Sequence, residues 1–477
     1  MELKGRITVY SIAGCPSCMR AKNALQEKGL PYTDVNIDTF SELREYVKER
    51  TGKATVPQIF FNNVHIGGSE ALLEKLNNDY EKLVDDVKNN EIPEDVPKLP
   101  DPSSPGWSAK GIDFKCEPDQ YAEILADFKQ SGLIKTNTQS LIFSYKNSFT
   151  GQEFVNWVVK AKGLERTAAF DLGNLLVSKL FCRAINGSEG FRANDVLYRL
   201  LEDEESNALN GGELSQCQPR KATEVAEDMR RLILKLYAAF LSPDGRKVDY
   251  GAIGKSQEYE TYVTLTKELV RADVETLTRE EKLAFFINIY NALVIHGIVE
   301  RGPAKNTWQR FKFFNTVKYI MGSQQYSLQD IENGVLRGNR KGVGMLFRPF
   351  GGKDPRVKVA LEKAEPLIHF TLVCGAKSCP PIKTFSPDGI MNQLNVAAEA
   401  FLEGDDAISV DASNKKVTIS QIFKWYSVDF GQNNQEVLQF IHSHMGDSDK
   451  KTQLGELLKT KKYSLGYHPY DWSVNSK

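Results

Sequence analysis

Cys15 and Cys18 stand where one hydrophobic periodicity gives way to another. Before them Ile7, Val9 and Tyr10-Ser11-Ile12 alternate as a strand does, and after them Ala21, Ala24 and Leu25 recur at helical spacing. A chain that must pass from strand to helix across Cys15-Pro16-Ser17-Cys18 has few folds open to it. Two thiols at C-x-x-C spacing on such a turn face each other and can close a small disulfide ring. The first sulfur lies at the helix N-terminus, where unpaired N–H groups and the macrodipole favour an anion. Cys15 is therefore expected as a thiolate near neutral pH, the form that attacks a disulfide. A structural zinc half-site and a pair of inert buried thiols are the alternatives. Zinc would want a second C-x-x-C or a matching His pair, and none follows at suitable spacing.

Downstream residues extend the pattern. Tyr32, Val35 and Ile37 suggest a second strand, and residues 41–51 read as a helix. Pro57-Gln58-Ile59-Phe60-Phe61 is an apolar strand, Asn62-Asn63 a turn able to take positive φ, and Val64-His65-Ile66 its return partner. Gly67-Gly68-Ser69 then opens another helix, whose N-terminus can receive an anion. Cys15-Pro16-Ser17-Cys18, Thr55-Val56-Pro57 and Gly67-Gly68-Ser69 together resemble the glutaredoxins, over about the first fifth of the chain. The resemblance implies a thioredoxin-like fold and catalysis by Cys15 and Cys18. It also implies a glutathione groove built from Thr55, Val56, Pro57, Gly67, Gly68 and Ser69, with Pro57 as a cis-proline. Glutathione is the implied cosubstrate. An iron–sulfur cluster bridged by one thiol plus glutathione is the less favoured use of the same site, and no protein-only metal site is expected.

At 477 residues there is chain enough for about three domains. A net charge of −1 supplies no overall field to draw the chain to nucleic acid. The seven cysteines do not form the dense framework of a small secreted domain. The first residues lack the apolar core of a signal peptide, and no run was expected to approach a transmembrane span. These readings point to the cytoplasm. Two polar stretches divide the chain. Residues 89–118, rich in proline, read as a partly extended spacer, and residues 202–224, with Asn210-Gly211-Gly212, as a flexible one. The expected units are thus 1–88, 119–201 and 225–477.

Residues 119–201 read as mostly helical, with Tyr121, Ile124, Leu125 and Phe128 at helical spacing and a short hairpin arm around Phe191 and Val196-Leu197-Tyr198. Ser148 through Trp157, Leu172 through Leu176, and Tyr198-Arg199-Leu200 resemble the DEP domain, a small helical bundle with a β-arm. That resemblance implies recruitment to a protein partner or membrane surface, without catalysis. Lys146, Arg183, Arg192 and Arg199 are candidates for a basic docking face, although a charged face is more often simply solvated.

In the last unit, Thr278-Arg279-Glu280-Glu281 forms a capping box before the apolar run Leu283 to Val299. Asn288 and Asn291 share one face of that helix and must either fix a neighbouring loop or line a polar pocket. Residues 365–374 read as a buried strand running into Gly375-Ala376-Lys377-Ser378-Cys379-Pro380. Phe286 through Leu293, His369 through Pro380, Lys424-Trp425-Tyr426, Asp429-Phe430 and Tyr470-Asp471-Trp472 resemble domain-of-unknown-function family 547, which carries no settled activity. A large mixed α/β domain is expected here. Cys374 or Cys379, with His296 or His369 as base, could form a thiol-dependent, hydrolase-like site, the two could pair as a regulatory disulfide that the N-terminal unit reduces, or both thiols could be structural.

The resulting expectation is a multidomain α/β and α+β protein: a glutathione-dependent thiol–disulfide oxidoreductase acting on disulfide or glutathionylated proteins, fused to a recruitment module. The competing class is a redox-responsive adaptor or signalling scaffold with little turnover.

Overall fold

A computed structural model describes residues 3–475 apart from 12–15, 38–40, 54, 97–98, 100–116, 139–142, 205, 213, 241–247 and 377–384. Cys15 and Cys379 therefore lie outside the described residues. The alternating residues Ile7–Ser11 form strand β1, and helix α1 (Pro16–Glu27) buries Ala21, Ala24 and Leu25 against it. Thr33–Asn36 (β2), helix α2 (Ser41–Thr51), Gln58–Phe61 (β3) and Val64–Gly67 (β4) follow, then helices α3 (Ser69–Asn78) and α4 (Tyr80–Asn89). The sheet order is β2-β1-β3-β4, with β1 parallel to β2 and the other pairs antiparallel. Asn62 takes φ 51° at the tight β3–β4 turn, the left-handed geometry for which asparagine is suited. Apolar clusters fill both faces of this sheet. Val9, Leu25 and Ile59 lie in one, Tyr10, Val35 and Phe60 in the other.

The middle unit interleaves helices α5 (Gln120–Gln130), α6 (Gly151–Lys162) and α7 (Arg166–Ser178) with four strands. These are β5 (Lys135–Thr138), β6 (Ser144–Thr150), β7 (Cys182–Ala184) and β8 (Leu197–Leu200), in the order β5-β6-β8-β7. The expected arm around Phe191 is thus a β7–β8 pairing, with Phe191 itself in the intervening loop and buried against Gly173. Thr150 and Glu153 cap α6 reciprocally.

The last unit is built around α11 (Arg279–Arg301), after α8 (Ala222–Ala239), α9 (Tyr250–Ile253) and α10 (Gln257–Thr266). The Thr278/Glu281 capping box is present, and every residue from Leu283 to Ile298 is buried. By length and composition α11 could cross a membrane, contrary to the expectation from sequence, but 89% of its most apolar stretch is buried within the fold. Helix α12 (Thr307–Thr316) and the hairpin β9 (Lys318–Met321)–β10 (Gln324–Ser327) follow. A π-helical turn, Asp330–Leu336, leads into a long loop. Helix α13 (Ile390–Glu403), strands β11 (Ile408–Asp411) and β12 (Lys416–Ile419), helices α14 (Ile422–Trp425), α15 (Ser427–Phe430), α16 (Asn434–His444) and α17 (Asp449–Thr460), and strand β13 (Ser464–Tyr467) complete it.

Two expectations are corrected here. Residues 365–370 are no strand. Pro366 begins a 3₁₀ turn through Phe370, with the Glu365 side chain capping Leu367 N–H, so the apolar run is buried as a turn. Nor is the segment after the middle unit loose. Asn210 is buried and bonds Thr266 and Ile320 backbone groups at 2.8–3.0 Å, and Leu214 joins the middle unit's core. Val270 and Ile320 from the last unit enter that same core, so the two units share one apolar interior. A buried Arg271–Asp119 ion pair at 2.9 Å locks the junction.

Candidate functional site

Cys18 lies in the first turn of α1, 1% exposed, among Tyr10, Val35, Ile37 and Phe60. Its sulfur is disulfide-bonded. Cys15 immediately precedes the first residue of α1 in the chain. Val56 leans on the same cluster as Cys18, and its peptide bond to Pro57 is cis. Gly68, the residue preceding α3, brings its α-carbon against Pro57: a β-carbon at Gly68 would sit 3.7 Å from the Pro57 carbonyl oxygen. Ser69, the first residue of α3, is buried. Three stretches far apart in sequence therefore converge near Cys18, with a helix N-terminus among them.

Gln58 was missed by sequence reasoning. Wholly buried in β3, it donates to the Thr55 carbonyl at 2.9 Å, and its side-chain oxygen lies 2.7 Å from His65 Nε2. That side chain fixes the Thr55–Pro57 loop to the β4 strand. Its signal was a lone polar residue inside an apolar strand, which must find partners when buried. Arg20 was also passed over. It donates to Ser17 at 3.0 Å, while its Nε is buried without a partner among the described residues.

In the last unit, Asn288 grips Phe385 through both backbone groups, and Asn291 grips the Thr371 carbonyl and Val373 N–H. Both asparagines thus fix loops flanking the segment that carries Cys374. His369 is 2.8 Å from Asp429 through Nε2, and its ring stacks on Tyr426 with centroids 4.0 Å apart. Asp429 also accepts from Arg337 at 2.5 and 3.0 Å and from Arg340 at 2.9 Å. Burial alone would raise its pKa, but the bonds from His369 and Arg337 hold the carboxyl far below the usual range.

Cys374 lies 3.5 Å from the Tyr470 hydroxyl, in a small cleft shared with Ile298, Arg310 and Trp472. His296 is elsewhere engaged, with Nδ1 2.6 Å from the Tyr319 hydroxyl and its ring among Tyr259, Tyr262 and Tyr319. Burial, with a smaller contribution from Arg301, lowers its pKa to about 3. The described hydrogen bonds of both histidines run to these partners and not to Cys374. Among the described residues, no three His, Cys, Asp or Glu side chains gather to hold a metal ion. Of the basic residues in the middle unit, Arg183 is committed to Glu204 and Arg199 to the Lys146 carbonyl.

The glutaredoxin family model matches residues 7–66. Glutaredoxin 1 of Rickettsia felis is 41% identical over 70 residues, which span 14% of this chain and 69% of that protein. The chain belongs to the glutaredoxin family. Glutaredoxin 3 of Escherichia coli K12 is likewise 41% identical over 66 residues, 14% of this chain and 80% of its own length. Glutaredoxin-2 of Schizosaccharomyces pombe is 35% identical over 88 residues, 18% of this chain and 80% of its own. The N-terminal unit of this glutaredoxin is that of a thiol oxidoreductase. The domain found in Dishevelled, Egl-10 and Pleckstrin (DEP) matches residues 132–200, and the protein family of unknown function DUF547 matches 274–402.

Proposed function

We propose that this chain catalyses glutathione-linked thiol–disulfide exchange through Cys15 and Cys18. The Cys15 thiolate attacks one sulfur of a substrate disulfide, and the other sulfur leaves as a thiolate that takes a proton. On a protein disulfide, Cys18 then attacks the mixed disulfide, closes the Cys15–Cys18 bond and releases the second substrate thiol. Two glutathione molecules reopen that bond and leave as glutathione disulfide, so two electrons pass from glutathione to the substrate. Val56 offers backbone hydrogen bonds to the tripeptide, and the α3 N-terminus at Gly68-Ser69 receives a carboxylate. The observation carrying this reading is the convergence of Cys18, held in a disulfide on α1, with cis-Pro57 and the Gly68-Ser69 helix start.

The middle unit serves as a docking module in the cytoplasm and does not take part in turnover. Cys15→Ser should abolish glutathione-dependent disulfide reduction. Cys18→Ser should leave the reduction of glutathione-mixed disulfides largely intact, because that reaction needs only the attacking thiol. Near-normal turnover by Cys15→Ser would show the assignment to be wrong.

A further inference from the structure

The loop between the π-helical turn and Phe350 leaves large apolar side chains in water. Leu346 is 79% exposed, Phe347 80% and Val343 53%. Arg340 from the same loop donates to the carbonyl of Val428, itself 68% exposed, at 3.3 Å. Singly scattered exposed hydrophobics are ordinary, whereas three within five residues of one loop call for a partner.

The base of the loop is braced. Asn339 bonds both backbone groups of Phe350, at 2.9 and 3.0 Å, closing the base of the loop. Phe350 is itself buried against Gly334, where a β-carbon would come within 2.3 Å of its ring. Buried Arg337 donates to the Lys341 carbonyl at 3.0 Å, and Met345 N–H closes a turn onto Gly342. The apolar tip is thus held away from the core by the same Arg337 that anchors Asp429.

Charge names the partner. From Asn333 to Lys353 the chain has no acidic residue, and Lys341, Arg348 and Lys353 are exposed cations on the loop and its exit, while Arg340, also exposed, is paired with Asp429. A protruding apolar tip in a collar of one sign fits a surface that is anionic outside and apolar just beneath. We propose that this loop inserts into the interfacial layer of an anionic lipid bilayer, with Leu346 and Phe347 entering the acyl boundary. The collar pairs with headgroups, its long side chains reaching up to the polar layer.

The test is co-sedimentation of the full chain with vesicles of equal parts phosphatidylcholine and phosphatidylserine, and with vesicles of phosphatidylcholine alone. Wild type should sediment with the first and far less with the second, and added salt should release it. The double variant Leu346→Ser/Phe347→Ser should weaken binding by about tenfold or more, and Lys341→Glu/Arg348→Glu similarly. All four substituted positions lie on the surface, so circular dichroism should be unchanged. Wild type remaining in the supernatant with phosphatidylserine vesicles, or a tip variant binding as wild type does, overturns the proposal. A concentration-dependent dimer that the tip variant abolishes without lipid would also overturn it, by assigning the tip to a second copy of this chain.

Discussion

Lowering pH should weaken the last unit through one residue, His296. In the folded chain burial lowers its pKa to about 3, against an ordinary value of 6.5. A neutral ring suits the site, because the Tyr319 hydroxyl 2.6 Å away can donate to Nδ1 and three tyrosine rings enclose it. The unfolded chain takes up a proton below pH 6.5 while the folded chain does not, so acid favours unfolding. Stability is full above the unfolded pKa and falls as pH drops toward the folded one. The proton-binding difference between about pH 7.5 and about pH 5 amounts to about 2 kcal/mol lost from this group alone. His296→Gln removes the titration while keeping a polar side chain. Urea unfolding followed by tryptophan fluorescence, which Trp425 and Trp472 report for this unit, should show wild type losing about 2 kcal/mol more than the variant over that interval. Nuclear magnetic resonance of the imidazole should show no titration down to about pH 4. Equal pH dependence in wild type and variant, or an imidazole titrating near its ordinary value, would refute the reasoning.

The junction of the middle and last units should be fragile to charge deletion. Asp119→Ala removes the only carboxylate paired with the buried Arg271 among the described residues, leaving its charge to the Ser215 and Cys217 carbonyls, and thermal unfolding should register a loss of about 3 kcal/mol. Gly68→Trp places a large side chain over the start of α3 beside the Pro57 carbonyl, and steady-state kinetics should show KM for glutathione rising more than kcat falls. Iodoacetamide should separate Cys182 from Cys374 under native conditions. Cys182, fully buried with its pKa pushed up to about 12, should stay unlabelled, whereas half-buried Cys374 should react. Mass spectrometry of the digested protein decides both.

Local patterns were legible in the sequence wherever a short-range rule decides the backbone. The Thr278/Glu281 capping box, the Asn62 turn and the boundaries of α2 follow from neighbours within four residues. The 365–370 segment shows where such rules stop. Its apolar run suits a buried strand, but Pro366 sets φ and removes a donor, and the Glu365 carboxylate offers Leu367 N–H a partner, so a 3₁₀ turn wins. Residues 202–224 were misread for the opposite reason. Their polar composition suits a free linker, yet Asn210 is satisfied by backbone groups from β9 and α10, which composition does not encode.

The site in the last unit was half legible for the same physical reason. His369 and Asp429 were both visible in the stretches that carried the resemblance, but their contact spans 60 residues and was not foreseen. Arg337 went unnoticed because it directly follows a π-helical turn, and no simple hydrophobic period announces that geometry. A buried Arg–Asp–His group is costly unless each member is paired, and here Asp429 accepts from three side chains at once. Arg337 also holds the Lys341 carbonyl at the base of the exposed loop. The charged group beneath and the apolar tip above are therefore parts of one construction. Removing the Arg337 guanidinium would leave Asp429 short of donors and the loop without its inner brace, so the two should be lost together.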